Sequence, residues 1–167
     1  NVLTGNTTHS NTGGGIDIFS TSNSNTLANN TANSNAAYGI WISASSGNVV
    51  TQNTIDSNTR YQIYITGASS SDTFQKNNIK PSAINPDSGV YNGSTVTGNK
   101  FTFTRNWWNS TDTGRIKKMI YQASTGDSII WQPFRLGAAD TAAGADTVAP
   151  KAPDTVTINA ATGGDTS

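Results

Sequence analysis

The chain has 167 residues, 34% of them hydrophobic and 12% charged, and its 20 Asn, 25 Thr, 19 Ser and 16 Gly exclude a helical bundle or coiled coil, which draws on Ala, Leu, Glu and Lys. Ten Lys and Arg balance ten Asp, with no Glu, so the overall charge offers no electrostatic footprint for nucleic acid or an anionic membrane. The absence of cysteine excludes disulfides and thiolate sites, and no apolar run approaches the ~20 residues that span a bilayer.

The chain opens inside a repeat. Asn1–Asn6, Asn25–Asn30, Asn48–Asn53 and Asp72–Asn77 align, with starts 24, 23 and 24 residues apart, and a fifth copy is expected to end at Asn99. Disorder would suit so polar a chain, but it would not place the few apolar residues in columns. One column reads Leu3, Leu27, Val50, Phe74 and Val96, and a second Thr8, Ala32, Ile55, Ile79 and Phe101. A third reads Ile16, Ile40, Ile63 and Val90; a fourth, two residues on, reads Ile18, Ile42 and Ile65. Apolar residues two apart mark strands with one buried face. Each repeat therefore predicts three short strands, near 2–5, 7–9 and 16–19 in the first copy, closed by turns such as Ser20–Ser24, Ser43–Gly47 and Gly67–Ser71.

Three short strands per turn at fixed repeat length describe a parallel β-helix of about five coils, each stacked on the last at ~4.8 Å. Asn6, Asn30, Asn53, Asn77 and Asn99 share a column, as do Asn11, Asn35 and Asn58. An amide both donates and accepts, so stacked copies can bond along the axis as a ladder, and Asn also tolerates the left-handed backbone of a sharp corner. With the strands Gly15-Ile-Asp-Ile18 and Gly39-Ile-Trp-Ile42, these segments resemble the right-handed parallel β-helix repeat proteins, the broad group of pectate lyase-like and periplasmic copper-processing β-helices. The resemblance covers residues 1 to about 135. It implies the right-handed fold and leaves activity open, since the group holds lyases, hydrolases, epimerases, adhesins and structural rods.

The repeat breaks at Asn106-Trp-Trp-Asn-Ser-Thr-Asp112. Ser110 or Thr111 as N-cap, followed by Ile116, Met119 and Ile120 at helical spacing, predicts an amphipathic helix near 112–122. Ser128–Phe134 reads as one more strand stopped by Pro133, with Trp107, Trp108, Trp131 and Phe134 closing the C-terminal end. Residues 1–136 thus form the capped β-helix, 137–153 an Ala/Gly/Pro linker, and 154–167 an isolated strand. The linker resembles the junction before immunoglobulin-like or fibronectin-like modules of bacterial surface proteins. Thr155, Val156, Thr157 and Ile158 alternate as an assembly strand would, and the tail from 140 is expected to dock on its own rod or on a neighbour. A first coil without a cap exposes unpaired backbone groups, which a strand from a second copy would cover, giving head-to-tail filaments.

Catalytic chemistry is hard to place on this frame. Asp17, Asp56 and Asp72 fall in different columns and Asp87 in an insertion, so no carboxylate pair suits glycoside cleavage, and no acidic cluster suits a calcium-assisted lyase. The column His9, Asn33, Asp56 and Lys80 puts His9 and Asp56 two coils apart, too far for a dyad, and makes Asp56 and Lys80 a surface ion pair. The outward aromatic column Trp41, Tyr64 and Tyr91, with Tyr38 and Tyr61 beside it, is the candidate contact surface, for a protein, a polysaccharide or simple stacking. Asn6, Asn29, Asn92 and Asn109 begin Asn-x-Ser/Thr sequons.

The expected function is a non-enzymatic, secreted or cell-surface structural protein that assembles with itself through its tail strand and open end. It needs no cofactor, and its partners are further copies and a polysaccharide, with no nucleic acid. The alternative is a carbohydrate-binding or polysaccharide-degrading module of a larger secreted protein; an adhesin stalk shares the architecture.

Overall fold

Short strands joined at left-handed corners build the molecule, and the computed structural model describes residues 1–123 and 127–138. Coil one holds β1 (Val2–Thr4), β2 (Thr7–His9) and β3 (Ile16–Phe19); coil two holds β4 (Thr26–Ala28), β5 (Thr31–Asn33) and β6 (Tyr38–Ser43). Coil three holds β7 (Val49–Thr51), β8 (Thr54–Asp56) and β9 (Tyr61–Gly67); coil four holds β10 (Thr73–Gln75), β11 (Asn78–Lys80) and β12 (Val90–Ser94). Coil five runs through β13 (Lys100–Thr102), α1 (Thr113–Lys118) and β14 (Ile120–Gln122), and β15 (Ser128–Ile130) starts a sixth turn. Corresponding strands pair in parallel into three sheets: six strands in the order β1-β4-β7-β10-β13-β15, four in the order β2-β5-β8-β11, and five in the order β3-β6-β9-β12-β14. The fold is a parallel β-helix of about five turns.

The register superimposes residues one coil apart. Leu3 lies opposite Leu27, Leu27 opposite Val50 and Val50 opposite Phe74, while Ile16, Ile40, Ile63, Val90 and Ile120 form a second file. These files are the core: Ile40, Ile42, Val50, Ile55, Ile63, Ile65, Phe74 and Ile79 are fully buried, and a narrow interior of like residues suffices for so polar a chain.

Asparagine ladders run beside this core at three corners. Each rung donates from Nδ2 to Oδ1 of the next: Asn6 to Asn30, Asn30 to Asn53, Asn53 to Asn77 and Asn77 to Asn106, all at 3.0 Å. A second ladder joins Asn11, Asn35 and Asn58 at 2.9 Å and ends on Gln62 Oε1 at 2.8 Å. A third joins Asn1, Asn25, Asn48 and Asp72. Backbone amides reinforce the steps beyond Asn1, Asn53 N for example donating to Asn77 Oδ1 at 2.9 Å. The left-handed corner itself belongs to the residue before each rung, not to the rung as expected: Gly5, Asn29, Gln52, Lys76 and Arg105 at the first corner, Ser10, Ser34 and Ser57 at the second, Ser24, Gly47 and Ser71 at the third. Turning the chain one residue earlier leaves the amide pointing inward, where its donors and acceptor are used.

Coil four departs from the expected spacing. Its ladder residues Asn77 and Asn106 are 29 apart, because residues 81–89 and 95–99 are loops. Asn99 is therefore not a rung of the first ladder; Asn106 is, and Asn99 sits at the third corner, its Oδ1 accepting from Ser71 N and its own N donating to Asp127 Oδ1. Val96 lies outside the strands and leaves the first column to Phe103, whose ring stacks on Phe74 at 4.1 Å. Phe101 is buried in β13 of the six-stranded sheet, and Trp108 follows Ile79 in the second column.

The predicted helix over 112–122 is shorter. Asp112, rather than Ser110 or Thr111, caps it, accepting from Gly114 N and Arg115 N, and Ile120 has left the helix to pair with Val90. Sheet pairing outweighs helical periodicity here because β14 continues the five-stranded sheet. Trp108 is buried, and Trp131 and Phe134 pack against the core with ring centroids 5.8 Å apart. The linker beyond 138 and the strand Thr155–Ile158 lie outside the described residues.

Asp72 ends the third ladder with its charge buried. Oδ1 accepts from Asn48 N and Nδ2, Oδ2 has no partner, and burial, only partly opposed by the Asn48 bonds, pushes its pKa up to about 6. Because the folded state raises this pKa, its stabilising contribution is complete below the unfolded value near 4 and is lost as pH rises through about 6. Two units correspond to ~3 kcal/mol. Asp72→Asn is accordingly expected to raise stability at pH 7.5 by ~2 kcal/mol, the charge penalty less the cost of seating a new amide donor. Urea denaturation at pH 4.5 and 7.5 checks it: the variant's gain should disappear at the lower pH.

Candidate functional site

The outer face of the five-stranded sheet carries the aromatics singled out from the repeat. Alternation along β3, β6, β9, β12 and β14 sends Ile16, Ile40, Ile63, Val90 and Ile120 inward and the next residue outward. In register these outward residues are Asp17, Trp41, Tyr64, Tyr91 and Tyr121, with Tyr38 opposite Tyr61 in a parallel file. The structure thus brings Tyr38, Trp41, Tyr61, Tyr64 and Tyr91 together, and adds Phe19 at one end and Tyr121 at the other. Tyr121 falls in the segment whose spacing predicts a helix, and the column of Phe19 holds Ser43 and Thr66 in the next coils, so the repeat marks neither ring.

The rings spend their faces on one another. Tyr38 stacks on Tyr64 at 4.0 Å with an interplanar angle of 1°, and Tyr91 stacks on Tyr121 at 5.2 Å and 16°. Tyr64 also meets Tyr91 at 4.8 Å, and Phe19 meets Trp41 edge-on at 4.4 Å. Trp41 Nε1 donates to Thr66 Oγ1 at 2.9 Å, and Arg60 donates to the Tyr38 hydroxyl at 3.2 Å. Burial, then neighbouring Tyr38, pushes the Tyr64 phenol up to about 12, and burial, then neighbouring Tyr91, raises Tyr61. Interior rings therefore present edges outward, while a freer ring is offered at the end by Tyr121, 53% exposed.

Stacking along a coil axis stabilises the sheet, each aromatic pair adding ~0.5–1.5 kcal/mol beyond its buried area. Tyr64→Ala is expected to lower stability by ~2 kcal/mol, since it touches Tyr38, Trp41, Tyr61 and Tyr91. Thermal melts of Tyr64→Ala and Trp41→Ala, run beside polysaccharide pull-downs, separate the roles. Unchanged melting with lost retention would make the stripe a contact surface instead.

The other candidates are placed as columns without chemistry. His9, Asn33, Asp56 and Lys80 do stack, Lys80 Nζ lies 3.1 Å from Asp56 Oδ2 at the surface, and the His9 ring hydrogen-bonds to the Ser10 hydroxyl. Burial raises the pKa of Asp17 at the end of the aromatic file. Asp87 pairs with Arg115. Among the described residues no three His, Cys, Asp or Glu gather, and no helix is long and apolar enough to cross a membrane. Asn92 cannot accept a glycan in this fold: it lies opposite Ile65 in the fourth column, fully buried, with Oδ1 accepting from Ser94 N.

The model of the family described as right handed beta helix region matches residues 1–108. Neither the curated proteins nor the solved structures yielded a match. The chain belongs to the right-handed β-helix family, which includes both enzymes and non-enzymes.

Proposed function

We propose that this member of the right-handed β-helix family is a non-enzymatic structural rod of a secreted or cell-surface protein, joined to further copies of itself. One observation carries the reading: the polar and aromatic side chains of the coils are spent on axial cohesion. Three ladders and one ring stack hold amides and phenols against each other. A polar rod with a thin core and repetitive outer faces suits a spacer better than a catalyst, whose acid and base must converge.

Assembly is supported by the likeness of the joints between coils: each step of the first ladder uses the same amide bond, and a parallel edge built this way accepts a further strand. Electron microscopy of the purified chain tests the reading: filaments are expected, and deletion of residues 140–167 should abolish them if the tail supplies that strand. Monodisperse particles at micromolar concentration would reject self-assembly, and turnover on a panel of polysaccharides would reject the non-enzymatic role. The second reading, a carbohydrate module of a larger secreted protein, is favoured by Tyr121, the most exposed ring of the stripe.

A further inference from the structure

The aromatic stripe is an unbroken path of oxidisable rings. After thiols and thioethers, indole and phenol rings are the side chains that give up an electron most readily. This chain has no cysteine, and its single methionine, Met119, is 3% exposed, so no accessible sulfur competes for an oxidant. Ring centroids lie 5.8 Å apart from Trp41 to Tyr64, 4.8 Å from Tyr64 to Tyr91 and 5.2 Å from Tyr91 to Tyr121, one ring on each of four successive coils. Tyr38 and Tyr61 run alongside, 4.0 Å from Tyr64 and 5.2 Å from Tyr91. Rings this close exchange electrons by short hops. Elsewhere Trp108 meets Phe103 and Trp131 meets Phe134, and a phenylalanine does not carry the oxidation onward.

The path also has a direction. An oxidised ring becomes a lasting radical where its proton can leave. Trp41 Nε1 donates to Thr66 Oγ1, a hydroxyl and so a poor base. The Arg60 guanidinium bonds to the Tyr38 hydroxyl and lies 6.0 Å from the ring centre, and its positive charge makes that ring harder to oxidise. Burial raises the pKa of Tyr64 and Tyr61, and the same loss of water denies each an acceptor for the proton it would release. Tyr121 differs. It lies on β14, the last strand of its sheet among the described residues, stacks on Tyr91 at 16° and is 53% exposed, so water is at hand.

We infer that Trp41, Tyr64, Tyr91 and Tyr121 relay oxidising equivalents along the rod, and that Tyr121 is the site at which two copies of this chain become cross-linked through dityrosine. The oxidant is hydrogen peroxide acting through a peroxidase. One electron leaves a ring of the stripe, electrons from the rings beyond refill it, and Tyr121 is left oxidised and gives its phenolic proton to water. Two such phenoxyl radicals, one from each copy, form a carbon–carbon bond ortho to their hydroxyls, and the displaced ring hydrogens move to the oxygens. Two tyrosines and one peroxide thus give one dityrosine and two waters. Coupling of this kind joins rods side by side and does not require their ends to meet.

A tethered photo-oxidant tests both parts. Asp17 is exposed in coil one, opposite Trp41 and four coil steps, ~19 Å, from Tyr121. Asp17→Cys puts a single thiol into the full chain, and a ruthenium tris-bipyridyl label on it, irradiated with a cobalt(III) pentaammine electron sink, withdraws electrons at that end. A covalent dimer is expected, with its dityrosine mapped to Tyr121 by mass spectrometry. Tyr121→Phe should abolish the dimer. Tyr91→Phe keeps a ring in the stack but not an oxidisable one, and should lose most of the dimer at an unchanged melting temperature. With the same ruthenium complex free in solution, Tyr91→Phe should cross-link as the parent does, because Tyr121 is then reached directly. Equal dimer from tethered Tyr91→Phe overturns the relay, as does a loss in the free-complex arm, which would make Tyr91 a support for Tyr121 alone. No dimer, or a cross-link at another tyrosine, overturns the site.

Discussion

Asn53→Ala is expected to cost ~4 kcal/mol of stability, a large value for one substitution in so polar a chain. Asn53 is buried, and its Nδ2 donates to Leu27 O, Thr51 O and Asn77 Oδ1 while its Oδ1 accepts from Asn30 N and Nδ2. Alanine leaves the Asn30 amide and the Leu27 carbonyl without these partners in a site closed to water, at ~1–3 kcal/mol for each group so stranded. Asn106→Ala should cost nearly as much, because Asn106 accepts from Asn77 and donates to Phe74 O inside the rod. Asn6→Ala, at the exposed end of the same ladder, should cost less than ~1 kcal/mol. Urea unfolding of the three variants measures the differences; equal losses at Asn6 and Asn53 would mean that burial does not set the strength of the ladder.

Gly39→Ala is expected to cost at least ~3 kcal/mol, the upper end of overpacking penalties. A Cβ at Gly39 would lie 2.4 Å from Ile55 Cγ2, 2.6 Å from Asn58 Nδ2 and 2.7 Å from the Gln62 carbonyl oxygen. The last is backbone and the second is a ladder rung with its own fixed bonds, so neither can yield cheaply. Gly15 faces the same crowding one coil earlier, against Gly39 O and Asn35 Nδ2. These glycines make room for the second ladder, and where Gln62 takes their position its side chain ends that ladder by accepting from Asn58. Gly13→Ala, where a Cβ meets nothing within 4 Å, is the control and should change stability by less than ~0.5 kcal/mol. Thermal melts of both distinguish crowding from loss of glycine as such.

The fold was legible because the first three coils differ in length by a single residue, so Leu27 could be set against Leu3 and Val50 from spacing alone. Legibility failed where loop length changed. Thr97-Gly98-Asn99 copies Thr4-Gly5-Asn6, and that local likeness outweighed the less obvious match of Phe103-Thr104-Arg105-Asn106. What a β-helix holds constant is the circumference of its sheets; loops such as 81–89 absorb extra residues without moving the strands. The third ladder is harder to see in the sequence because Asp72 breaks its run of asparagines, although a carboxylate oxygen accepts as an amide oxygen does. The aromatic stripe followed from columns already aligned, but the direction of its ring faces did not, since that depends on rotamers. Trp107 lies opposite Asn78, a position that depends on the register of coil five, and a fifth copy ending at Asn99 does not give that register.

Because each rung of the first ladder bonds to the next with the same atoms and at the same 3.0 Å, every joint between coils is chemically interchangeable with its neighbours. A gene carrying a second copy of the segment from Asn25 to Gly47 would splice in one complete winding whose upper and lower surfaces already fit. The length of such a protein is thus open to adjustment by unequal recombination in steps of about two dozen codons, while a single-codon slip inside a strand would turn core residues outward. Reach can be selected in this lineage without redesigning the interior.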